Sequence, residues 1–240
     1  MLIHTILMKK NTTSMVKPPK IKNYGCQRAY FIPADSPRGI VKRELKEKAE
    51  KREKFLFSGL YKIKNNMFLL GGIGAPAAVL ALEPLICSGF REIIILGFCG
   101  GLSEKISLFE PYVIKKAFSE EGTSLSYFPN KNEFPSSNKL SKELEDRLKS
   151  NNIDFKTASI VSTDAPYRET RDWINLQQKK GIELVDMETS AVFALAEYYH
   201  MEAAALMLVS DVLGTESHQI GFLKTKFNDQ IKQILSIFYE

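Results

Sequence analysis

Short apolar runs alternate along most of the chain with stretches whose apolar positions recur every three to four residues. AYFIP (29–33), FLFSGLYKI (55–63), NMFLLGGIG (66–74) and PYVIKKAFS (111–119) read as strands. REIIILGFCGGL (91–102) reads as a β-branched strand that runs into a glycine turn. TASIVSTDA (157–165), a short run at 182–185 and AAALMLVSD (203–211) complete the set. Helical spacing covers 36–51, with Pro37 in its first turn, and also 75–88, 139–151, 170–180, 188–199 and 222–239. Residues 120–137 are polar, carry Pro and Asn, and read as a loop. Strands that alternate with helices imply a mostly parallel or mixed sheet covered on both faces. No repeat or linker interrupts the pattern. Residues 28–240 therefore read as one α/β domain, and residues 1–27 as an N-terminal extension, frayed or disordered.

Composition narrows the function classes. Of the 240 residues, 44% are hydrophobic and 25% charged, which is ordinary for a globular protein with a sizeable core. No run of about 18 apolar residues occurs, so no membrane span is expected. The first residues do not form a secretory signal, because the apolar run is short and polar residues follow at once. Three cysteines, Cys26, Cys87 and Cys99, are too few for a disulfide framework or a zinc site, which favours a reducing cytoplasm. The three histidines, His4, His200 and His218, have no metal-ligand spacing. The net charge of +5 lies largely in mixed-sign runs such as KRELKEKAEKREK, which read as a solvated helix face. No arginine stripe with interleaved aromatics points to nucleic acid.

Three strand exits carry candidate chemistry: GGIGAP (71–76), LGFCGGL (96–102) and VSD (209–211). Ligands of α/β folds bind beyond the carboxyl ends of the strands, and glycine there allows close approach to the backbone. Tight turns without function give the same pattern. The spacing is not the dinucleotide fingerprint.

Four segments, in this order, resemble the nucleoside phosphorylase family. They are FIPADSPR (31–38), GGIGAPAAVLALEPLICSGFREIIILGFCGGL (71–102), STDAPY (162–167), and VDMETSAVFALAEYYH (185–200) with LMLVSD (206–211). The resemblance implies a three-layer α/β/α sandwich whose mixed central sheet is partly barrel-like. It also implies homotrimers or homohexamers with sites near subunit interfaces. The implied reaction cleaves the N-glycosidic bond of a nucleoside, most naturally a purine nucleoside. Phosphate serves as co-substrate, the products are free base and ribose 1-phosphate, and no cofactor or metal takes part. The alternatives are a nucleosidase that uses water and a nucleoside-binding protein without turnover.

The resemblance also assigns roles to residues. Glu188 accepts hydrogen bonds from the 2′- and 3′-hydroxyls and stabilises charge on an oxocarbenium-like ribosyl group. Met187 packs on the sugar. Asp211 matches the acid that protonates or hydrogen-bonds the leaving purine. Arg38 matches a phosphate-binding arginine. Arg52 matches one contributed across a subunit interface. Gly74, Phe98 and Tyr167 complete the substrate-binding set, with Tyr167 in the segment that covers the base. The residues alone allow plainer readings: Glu188 complements a helix dipole, Met187 and Tyr167 fill core, Asp211 caps a turn, and the arginines are solvated.

The chain departs from the family at several positions. Ala34 and Ser36 stand where the family has Gly and Pro before Arg38. Ile95 and Phe98 stand where phosphorylases carry a phosphate-binding arginine and a hydroxyl. Any phosphate then depends on Arg38, Arg52 and the backbone amides of the glycine turn.

Overall fold

The computed structural model describes residues 14–22, 24–214 and 218–239. His4 and the first thirteen residues of the expected extension lie outside them. The strands are β1 (Arg28–Ile32), β2 (Lys51–Phe55), β3 (Ser58–Ile63), β4 (Asn66–Leu70), β5 (Glu92–Gly101) and β6 (Pro111–Glu120). They continue with β7 (Glu133–Pro135), β8 (Lys156–Thr163), β9 (Leu184–Asp186), β10 (Glu202–Leu213) and β11 (His218–Ile220). The helices are α1 (Ile40–Lys48), α2 (Ala75–Cys87), α3 (Ser124–Tyr127), α4 (Asn138–Ser150), α5 (Arg171–Lys179), α6 (Thr189–Tyr198) and α7 (Thr225–Ser236).

The strands join in one mixed sheet, ordered β11-β10-β6-β8-β9-β5-β1-β4-β3-β2, with β7 on β6. Alternation along its central strands builds two cores. Ile93, Ile95, Ala205, Met207 and Val209 face one side, against α2 and α6. Ile94, Leu96, Leu206 and Leu208 face the other, against Leu45 of α1, Leu144 of α4 and Phe227 of α7. The result is a three-layer α/β/α sandwich.

The partly barrel-like sheet implied by the resemblance is not found. β10 pairs with both β5 and β6, so β10, β6, β8, β9 and β5 form a ring, but the ring is not barrel-shaped. β9 has three residues and meets β5 through Gly100↔Val185 and Gly101↔Leu184. Closing a barrel requires long staggered strands on every side, and so short a link does not supply them.

Local differences from the sequence reading have physical causes. The helix expected over 36–51 spans Ile40–Lys48, because Gly39 at φ 66° is its N-cap and Lys51 begins a strand. β2 (KREKF) sits at the sheet edge, where charged side chains are favoured because they block further pairing. The run 55–63 is broken by a turn at Leu56, φ 51°, which leaves Phe57 93% exposed. The expected loop at 120–137 contains α3 and β7, and Phe134 of β7 is buried. The glycines of 97–101 lie inside β5 rather than in a turn. A Cβ at Gly97 would come 2.9 Å from the Met207 side chain, and one at Gly101 2.7 Å from Ile106.

Candidate functional site

The first part of the site grows from the start of α6. Glu188 is the N-cap residue, and its carbonyl accepts from Val192 N at 3.0 Å. Its side chain is buried, and Oε1 accepts from Gly74 N at 2.6 Å. Gly74 caps α2 at φ 87°, a backbone conformation open to glycine, and this aims its N–H at the carboxylate. Burial and the charge of neighbouring Asp186 push Glu188 up to about 8, against the pull of backbone hydrogen bonds from Gly74 and Met187. Met187 is half-buried beside it.

A buried polar network holds this turn in place. Ser162 Oγ donates to Asp186 Oδ1 at 2.5 Å and accepts from Ser190 N at 2.9 Å. Thr189 donates to Asp186 Oδ2 through its backbone N–H at 2.9 Å and through its hydroxyl. Ser190 Oγ donates to Glu121 Oε1 at 3.0 Å. Glu121 also accepts from Ser119, Thr123 and Ser124. Burial raises Asp186 above the usual carboxylate range, although these donors favour its charged form. The turn that carries Glu188 is thus tied to β8, β9 and α3.

Asp211 stands near the end of β10, which pairs with β5 as β9 does. β10 runs parallel to β5 with a bulge between Val209 and Asp211, so Ser210 is the extra residue and Asp211 sits opposite Gly100. Asp211 lies directly over that glycine: a Cβ at Gly100 would lie 3.7 Å from Oδ2. Ser210 Oγ donates to Asp211 Oδ1 at 2.7 Å, and His218 Nε2 lies 2.7 Å from Oδ2. Cys99 is buried on β5, opposite Val209 of β10. Its thiol is raised well above the ordinary value by burial and then by the charges of Asp186 and Asp211. Burial and the Asp211 charge push Glu169 up to about 7, and His218 pulls it down. Tyr167, Arg168 and Arg171 are exposed, so Tyr167 is not part of the core.

The expected anion ligands are more dispersed. Arg38 is exposed beyond β1, with Nη2 3.4 Å from Leu223 O. The amides that begin α1 are occupied by the chain itself: Asp35 Oδ1 accepts from Val41 N and Ser36 Oγ from Ile40 N, each at 3.0 Å. Ile95 is fully buried in the α2 and α6 core, and Phe98 packs on Phe227 at 5.0 Å between ring centres. The expected amide nest at 97–101 is absent, because these residues are paired with β10. Arg52 lies on β2, four strands from β5 along the sheet, or about 19 Å at ordinary strand spacing. It lines a basic surface depression of about 450 Å³ with Lys42, Arg43 and Lys46, apart from Glu188 and Asp211. The structure therefore brings together Gly74, Met187 and Glu188, sets Asp211 across β5 from the strand that precedes them, and leaves Arg52 outside.

A family model described as the phosphorylase superfamily matches residues 37–238. The chain belongs to the phosphorylase superfamily. It is an enzyme of the nucleoside phosphorylase type. Among its relatives is a DeoD-type purine nucleoside phosphorylase of Caldanaerobacter subterraneus subsp. tengcongensis. That protein is 29% identical over 191 residues, covering 78% of this chain and 82% of the relative. Another, also DeoD-type, is from Bacillus cytotoxicus: 27% identical over 179 residues, covering 73% of this chain and 76% of the relative. The fold is similar to that of the crystal structure of purine nucleoside phosphorylase from Toxoplasma gondii in complex with immucillin-H. The TM-score is 0.77 at 18% identity, over 95% of this chain and 96% of that one.

Within this superfamily member, sequence reasoning missed the polar network. Ser162 and Asp186 lie in the very segments that carry the resemblance, but their partners are distant in sequence. The available signal was the density of hydroxyl and carboxyl groups in STD and VDMETS, close to strand ends. Glu169 was also missed, since RETRD reads as a solvated charge run. Among the described residues, no group of three His, Cys, Asp or Glu side chains is placed to hold a metal, and no helix is long and apolar enough to cross a membrane.

Proposed function

We propose that this enzyme cleaves purine nucleosides with inorganic phosphate, releasing free base and ribose 1-phosphate. The observation that carries the proposal is the placing of two carboxylates at the ends of β9 and β10, the two strands that flank the glycine end of β5. Glu188 is buried and aimed by Gly74, and Asp211 is lifted over Gly100 by a bulge. A buried carboxylate suits the ribose hydroxyls and the positive charge that develops as C1′ separates from the base. Asp211 then supplies the leaving purine with a proton at N7. Met187 packs on the sugar, and Tyr167 covers the base from the exposed segment after β8. The names of the relatives support the purine class.

Phosphate is held by Arg38 of the same chain and by Arg52 of a neighbouring copy in a homotrimer or homohexamer. An arginine on an edge strand, far from its own Glu188, supports that assignment. The protein acts in the cytoplasm on small molecules, without membrane or nucleic-acid partners. Its three cysteines are free, which fits a reducing compartment.

The packing of Ile95 and Phe98 favours a second reading, hydrolysis, because neither side chain offers phosphate a donor. Base release from inosine, adenosine, methylthioadenosine and uridine, each with and without phosphate, separates the two. Release from a purine nucleoside that requires phosphate is the expected result. Equal release in phosphate-free buffer would replace phosphorolysis by hydrolysis.

A further inference from the structure

We propose that His218 supplies the proton that Asp211 passes to the departing base. The inference rests on the purine-nucleoside reading above and extends it to a residue outside the site assigned so far. β11 pairs antiparallel with β10 in the register Asp211↔Ile220 and Leu213↔His218, which sets His218 diagonal to Asp211 on the same face. Its Nε2 lies 2.7 Å from Asp211 Oδ2, while Oδ1 accepts from Ser210. Among the described residues, the hydrogen-bond partners of Asp211 are thus a serine hydroxyl and the His218 ring, and of the two the imidazole is the acid–base group.

The two side chains also differ in access. The Asp211 side chain is 20% exposed and that of His218 48%, so the ring can be reloaded from water while the carboxylate faces the site. Among the described residues, the other titratable groups near the pair are Glu169, from the segment between the turn at Pro166–Arg168 and α5, and the buried Cys99 thiol of β5.

The proton balance is simple. As the C1′–N9 bond breaks, its electron pair leaves on the purine and the nucleophile's oxygen bonds to C1′. The imidazolium transfers its Nε2 proton to Asp211, and Asp211 transfers a proton to purine N7. Neutral imidazole and the carboxylate remain, and solvent returns the proton to His218. His218 acts through Asp211, so it is a positioning and relay residue.

The test compares inosine with 7-methylguanosine, whose base carries its alkyl group at N7 and leaves without needing a proton. His218→Ala should lower kcat on inosine by about 10²-fold, the range of a lost acid–base group. On 7-methylguanosine the loss should be within about threefold. His218→Gln keeps a donor for Asp211 but carries no titratable proton. It should remain slow on inosine and should change the pH profile of the rate relative to the parent. Equal losses on both substrates would make the role structural and overturn the proposal. Full inosine activity in His218→Gln, with an unchanged pH profile, would reduce the role to a hydrogen bond and overturn it as well. A parent enzyme that releases no base from any nucleoside would remove the underlying reading, and this one with it.

Discussion

The two sides of the site are built in opposite ways. On the sugar side, Glu188, Asp186, Ser162, Thr189 and Ser190 are buried and linked by hydrogen bonds across β8, β9 and α6. On the nucleophile side, Arg38 and Arg52 are exposed, and the strand positions that could help them are filled by apolar packing. The side we assign to the sugar is thus held in place by hydrogen bonds within this chain. The nucleophile side depends on what covers it. A fold can preserve half of a reaction centre as part of its core, while the other half stays at the surface and is free to change.

Substitutions should separate the two sides, beginning with the largest effect. Asp186→Ala removes the acceptor for Ser162 and Thr189 inside the core. It should cost about 3 kcal/mol in chemical denaturation, as buried donors left without partners do. An unchanged midpoint would mean that the network is not what holds the turn.

The next effect is on pH. Glu188 must be ionised to accept from two hydroxyls, and its proton leaves at about 8. kcat/KM for 7-methylguanosine, whose base needs no proton, should therefore fall about tenfold per pH unit below 8. Stability runs the other way. The folded-state value lies above that of an unfolded glutamate, so the unfolded chain binds fewer protons between the ordinary carboxylate range and about 8. Stability should therefore drop as pH rises through that window and level off above it. Glu188→Gln should make the slope shallower, leaving the part that Asp186 and Glu169 contribute, which thermal melts at several pH values would record.

Gly74→Ala should cost about 1–2 kcal/mol through its positive φ and lower kcat/KM by turning the N–H away from Glu188. The smallest effect is expected at the exposed side. Arg38→Ala should raise the KM for phosphate about tenfold and leave the KM for inosine nearly unchanged. A rise in the nucleoside KM instead would erase the distinction between the sides.

Much of this was legible in the sequence. The strand–helix alternation led to the layers, and MET in VDMETS led to the buried turn at Glu188, because apolar periodicity and short motifs are local. The network around Asp186 was not legible, since its meaning lies in Ser162, 24 residues away, and in Glu121, 69 residues from Ser190. The roles of Gly97, Gly100 and Gly101 were misread as a turn. A glycine demanded by a neighbour's side chain looks the same in sequence as one demanded by a bend. β2 was hidden because an edge strand can carry KRE as easily as a helix can. The barrel implied by the family was not realised, because closure depends on how far β9 extends along β5, which motifs do not encode.

The central claim is that Glu188 holds the ribose hydroxyls. Its most direct test is a cycle of enzyme and substrate changes: parent and Glu188→Gln, each on inosine and on 2′,3′-dideoxyinosine. Glu188→Gln should lower kcat/KM on inosine by about 10²–10³-fold and on the dideoxy substrate by about tenfold or less. Equal losses on the two substrates would contradict the claim.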